Sequence, residues 1–156
     1  MSARPYFFMM KGSKPLAHAD RSGFDFVVDM LQGDPTYAIN FDRLQYHPTQ
    51  GYIIFEFLLC DERQTVTPYT SHPNHYWHLN AQKFIALFRA AKALQATLYL
   101  VNYAQPGTAH ADEVLILKVL ELDETQGITA QEPCRTTRRK FSAWFRKLNQ
   151  ACAHTR

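Results

Sequence analysis

The run Gly51-Tyr-Ile-Ile-Phe-Glu-Phe-Leu-Leu-Cys60 is the most apolar stretch of the chain and constrains its fold more than any other segment. Its β-branched and aromatic content reads as a strand, and its apolarity as a buried one. Glu56, in the middle of it, is out of place. An ionised carboxylate inside a buried strand is costly unless a cation, a proton or a metal ion offsets the lost hydration. No cation lies near Glu56 in sequence.

The segments around this strand supply the rest of an α/β pattern. Ser22 reads as the N-cap of a helix carrying Phe24, Val27, Val28 and Leu31 on one face, ended by Gly33 and blocked by Pro35. Residues 5–10 form a short apolar lead-in, broken at 12–15 by Gly-Ser-Lys-Pro. Tyr37 to Tyr46 and Tyr52 to Cys60 flank the turn His47-Pro-Thr-Gln-Gly51, which predicts a hairpin. Residues 61–78 are polar and irregular. Asn80 then caps a helix with Phe84, Leu87, Phe88 and Ala91 as its apolar stripe. Leu98 to Ala104 and Val114 to Leu122 read as further strands, and strand–helix–strand fits a crossover between parallel neighbours. Phe141, Trp144, Phe145 and Leu148 recur at helical spacing and predict an amphipathic C-terminal helix over about 137–152. The expectation is one domain over 1–156 with its core at 22–122, built as a mixed central sheet flanked by helices.

Charge divides the chain unevenly. Residues 1–134 carry 10 Lys+Arg against 14 Asp+Glu, a balance of −4, whereas residues 135–156 carry seven basic side chains and no acid, +7. That end suits a polyanion or an acidic surface. Within it Arg138, Arg139, Lys140, Arg146 and Lys147 surround the apolar stripe of the last helix, as a solvated face or as contacts to nucleic-acid phosphates. No apolar run approaches the length of a membrane span, and the start of the chain lacks a secretory-signal pattern. Three scattered cysteines, Cys60, Cys134 and Cys152, argue against a disulfide framework and for a reducing cytoplasm. The chain has no P-loop, dinucleotide fingerprint or Gly-x-Ser-x-Gly elbow.

If the hairpin turn is centred near Thr49, residues whose numbers sum to about 98 face each other, and Asp42 comes opposite Glu56. Two carboxylates with Cβ atoms roughly 5 Å apart repel unless one is protonated or a dication lies between them. Hard oxygen ligands at that separation suit Mg²⁺ or Mn²⁺. Asn40 falls on the same face as Asp42. A register slip of one residue would separate the acids, and Glu56 would then pair with Arg43 or Lys118 instead.

A helix, a hairpin with Asp42 on its first strand and Glu56 within the second, then a crossover helix and strand, resembles the PD-(D/E)XK (restriction-endonuclease-like) superfamily over roughly residues 22–104. The resemblance implies a restriction-endonuclease-like core, a divalent metal held by Asp42 and Glu56, and metal-assisted hydrolysis of a phosphodiester. It also implies a lysine two positions after the glutamate. That position holds Leu58, and Phe41 replaces the proline before the aspartate. Lys83, on the following helix, is the candidate for a relocated catalytic cation. Asp25 and Asp29 on the first helix are either a further acidic contribution or a solvated face.

The segment His72-Pro-Asn-His75-Tyr-Trp-His78 lacks zinc-ligand spacing and reads as a histidine and aromatic loop packed over the sheet or against a ligand. Two functions follow: a Mg- or Mn-dependent nuclease acting on DNA or RNA, or a non-catalytic module that binds nucleic acid or a protein, as an inhibitor does, on the same fold.

Overall fold

A computed structural model of the chain describes residues 21–153 except residue 62, so the apolar lead-in at 5–10 and its break at 12–15 lie outside the described residues. The contacts of the chain gather into two compact units, residues 1–38 and 39–156. The first contains helix α1, Ser22–Leu31, over the span expected from its sequence. Arg21, not Ser22, occupies the N-cap position, and its side chain makes no capping hydrogen bond. Gln32 and then Gly33 turn left-handed at its end, with φ of 48° and 92°.

The second unit holds the sheet. Its elements are β1 (Arg43–His47), β2 (Gly51–Cys60), a 3-10 turn (Pro73–Tyr76), α2 (Trp77–Leu94), β3 (Thr97–Ala104), β4 (Glu113–Asp123), β5 (Gly127–Thr137) and α3 (Arg138–Cys152). The strands lie in the order β1-β2-β3-β4-β5. Only β2 and β3 are parallel, joined through α2, and every other neighbouring pair is antiparallel. This is the expected mixed sheet.

Two boundaries and one additional strand differ from the sequence reading. Residues 37–42 are not strand, so the first arm of the hairpin begins only at Arg43. Helix α2 begins at Trp77 rather than after Asn80, because Pro73 opens a 3-10 turn that leads into it and the His72 ring caps that turn by accepting from the Asn74 N–H at 3.1 Å. The strand β5 was not expected. Its sequence, Gly-Ile-Thr-Ala-Gln-Glu-Pro-Cys-Arg-Thr-Thr, carries a proline and few apolar residues, which suits an edge strand.

Apart from Glu56, β2 is largely apolar because the sheet is covered on both faces, as is usual for a strand with a parallel neighbour. On one face Ile54, Leu98, Leu100, Leu115 and Leu117 pack against Phe84, Leu87 and Ala91 of α2. On the other, Ile53, Phe55, Val101 and Ile116 pack against Phe141, Trp144, Phe145 and Leu148 of α3. Among the described residues, no helix is long and apolar enough to cross a membrane.

The 3-10 turn is fastened to the β4–β5 hairpin. Asn74 brackets Ile128, its Nδ2 donating to the carbonyl and its Oδ1 accepting from the amide, each at 2.9 Å. The Trp77 indole donates to the Glu124 carbonyl at 3.1 Å, and a ring nitrogen of His72 lies 2.7 Å from Gln131 Oε1. The histidine segment is therefore packed over the sheet. Among the described residues, no group of three or more His, Cys, Asp and Glu side chains is arranged to hold a metal ion.

Candidate functional site around Glu56

Alternation along β2 turns Ile54, Glu56 and Leu58 toward α2. Glu56 is only 3% exposed there. Its Oε1 forms an ion pair with Nζ of Lys83, which approaches from the second turn of α2 and keeps 42% of its side chain in solvent. Oε2 is buried and has no hydrogen-bond partner. Burial raises the Glu56 pKa above its ordinary 4.5; Lys83 works against that rise, and the charge of Asp42 adds to it. Leu58 and Lys83 line an open groove of about 530 Å³ together with His75, Tyr76 and Asn80.

Neither alternative partner reaches Glu56. Arg43 donates to Gln45 Oε1 and Asn149 Oδ1, both at 2.6 Å, and lies 5.0 Å over the Phe145 ring. Lys118 pairs with Glu132 at 3.4 Å.

The β1–β2 register runs from Arg43↔Phe55 to His47↔Gly51, so paired residue numbers sum to 98, as expected. Pairing stops at Arg43, and Asp42 lies in a bend one residue beyond it. There its Oδ2 accepts the Phe57 N–H at 2.8 Å, so the carboxylate continues the hydrogen-bond ladder past the end of β1. Asp42 also lines a cleft of about 640 Å³ with Phe57, Val101, Tyr103, Arg138 and Ser142. Glu56 and Lys83 thus meet directly, and Asp42 acts on Glu56 from the margin of the strand, its charge raising the Glu56 pKa and its backbone amide lowering it. Asn40 is exposed in the irregular segment ahead of β1, and Asp25 and Asp29 are exposed on α1.

The basic residues of α3 divide into two kinds. The Arg138 guanidinium donates to the backbone carbonyls of Ala104 and Ala111, tying the start of the helix to the end of β3 and the loop before β4. Sequence reasoning missed this clamp, because nothing in the local pattern relates residue 138 to carbonyls 34 and 27 positions earlier. Arg139, Lys140, Arg146 and Lys147 are exposed and form no ion pair among the described residues.

A comparison of the chain with protein-family models, curated proteins and solved structures finds no match.

Proposed function

We propose that this chain is a metal-dependent, nuclease-type protein of the PD-(D/E)XK kind, with Asp42 and Glu56 as ligands for Mg²⁺ or Mn²⁺ and Lys83 as its cation. The observation that carries the reading is the ion pair between Lys83 and Glu56. Leu58 stands where a lysine on the same strand would be expected, and an ammonium group from α2 reaches the carboxylate instead.

Glu56 offers such an ion a hard oxygen donor on the α2 side, whereas Asp42 lines the cleft on the α3 side and would have to turn toward Glu56 to share the ion. Glu56 Oε2 is a buried hard-oxygen acceptor with no partner, an arrangement that costs about 1–3 kcal/mol or more for a charged group when left unmet. Two carboxylates are a sufficient protein share for Mg²⁺, which keeps its other positions for water and substrate phosphate oxygens. A bound Mg²⁺ or Mn²⁺ supplies Lewis acidity toward a phosphodiester and acidifies a coordinated water. The chain's part is to orient Glu56 through Lys83, to fix Asp42 through the Phe57 amide, and to keep bulk water from the carboxylate. The exposed Arg139, Lys140, Arg146 and Lys147 supply sequence-independent attraction for a nucleic-acid backbone in a reducing, cytoplasmic setting.

The second reading, a non-catalytic module that binds nucleic acid or a protein partner, is favoured by one observation. Lys83 already pairs with Glu56 without any metal, so the carboxylate has a partner even in a site that has lost its chemistry. Incubating plasmid and single-stranded DNA and RNA with Mg²⁺ or Mn²⁺ separates the two. Cleavage by the wild type that disappears in Asp42→Ala, Glu56→Gln and Lys83→Met supports the nuclease. Salt-sensitive binding without cleavage supports the module, and absence of both directs attention to a protein partner.

A further inference from the structure

A second groove, of about 540 Å³, lies on the sheet face that α3 covers, opposite the face that carries Glu56 and Lys83. Its floor is a row across three strands, since Tyr99 pairs with Lys118 and Lys118 with Glu132. Its wall is α3, which presents Lys140 and Trp144 one turn apart. The Tyr99 and Trp144 rings stand 5.5 Å apart at 84°, so floor and wall meet in an aromatic corner. Both rings are half-buried: their packing fixes them in place while part of each stays open to the groove.

The charge around this corner selects its occupant. Lys140 forms no ion pair among the described residues, and Arg139, Arg146 and Lys147 extend the positive charge along a helix that has no acidic residue. The single acid in the groove is Glu132, held beside Lys118 at 3.4 Å. A planar ring with an exocyclic amine matches the aromatic faces and that carboxylate, and an attached phosphate matches the lysines. Only an unpaired base offers an open face for stacking.

We propose that this groove is a nucleobase subsite for single-stranded nucleic acid, with a base against Tyr99 and Trp144 and the adjoining phosphate on Lys140. The inference rests on the nucleic-acid reading given above and adds strandedness and a place to it. The subsite holds a strand. It does not react with it.

Cys134, exposed on β5, lines the same groove, whereas Cys60 is buried and Cys152 half-buried, so one thiol reports on occupancy. The test uses the full chain, a mixed-sequence single-stranded oligonucleotide and the duplex of the same sequence, each titrated by fluorescence anisotropy. Maleimide labelling of Cys134 is followed by peptide mass in parallel. Saturating single strand is expected to slow Cys134 labelling and to quench tryptophan emission, while Lys140→Glu weakens binding roughly tenfold without lowering the melting temperature. The quenching belongs to Trp144, because Trp77 is buried on the other face with its indole bonded to Glu124. Binding that leaves Cys134 labelling unchanged would overturn the groove and leave the nucleic-acid reading standing. Equal protection by duplex would overturn base stacking. No binding of either strand form would remove both.

Discussion

At Glu56, desolvation outweighs the attraction of Lys83, and the carboxyl holds its proton above the ordinary pH range for a glutamate. The folded chain therefore binds that proton more tightly than the unfolded chain does. On this account stability is fully present below about 4.5, the ordinary value, and is lost as the pH climbs through the raised one. Glu56→Gln should accordingly melt higher than the wild type at pH 8 in EDTA, because the amide carries no charge to desolvate. The advantage should shrink toward pH 4.5; a constant difference across that range would contradict the raised pKa. Gly127 is a second sensitive residue. Its φ is +95°, and a Cβ there would fall on the Asn74 side chain and within 3.2 Å of Trp77. Gly127→Ala should cost about 1–3 kcal/mol, read as a drop in denaturation midpoint, because it strains the backbone and loosens the Asn74 bracket on Ile128. Sequence alone marked Glu56 as anomalous, because an acid inside an apolar run is visible without coordinates. It offered Lys83 only through a family resemblance, since contact between a strand and the helix after it is a tertiary fact.

Among the elements, α3 shows how far pattern reading reaches. Its apolar stripe predicted the helix, but five basic residues that look equivalent on a helical wheel have different duties. Arg138→Ala should lower stability by about 1–3 kcal/mol, measured by chemical denaturation, because two part-buried hydrogen bonds to backbone carbonyls are lost with it. Arg139→Ala and Arg146→Ala should leave stability within about 0.5 kcal/mol of the wild type. In nucleic-acid binding each should reduce the slope of log K against log salt by about one. The hairpin register was legible because the turn at 47–51 fixes it. Its consequence for Asp42 was not, because β1 stops one residue short and the carboxylate turns to the Phe57 amide. α2 started early because the helix grows out of a proline-initiated 3-10 turn held by tertiary bonds from β5, and no local signal records those bonds.

At the scale of the whole molecule, the described residues of both apolar layers of the sheet all fall within 39–156. A fragment spanning 39–156 should therefore fold cooperatively, with a single denaturation transition and a far-ultraviolet spectrum of mixed α/β type. Loss of cooperative melting in that fragment would show that its two layers are insufficient. The sheet ends on one side in β5, where Pro133 stands in register with Leu117 and is flanked by Glu132 and, two residues on, Arg135. A proline is tolerated within a paired strand only where its nitrogen faces away from the neighbour. The outer rim of β5 thus lacks an amide donor midway along its length and carries charge on either side of the gap. Strand-by-strand growth into fibrils is blocked at that rim, so an oligomer assembled by sheet extension would have to begin from the short β1 side.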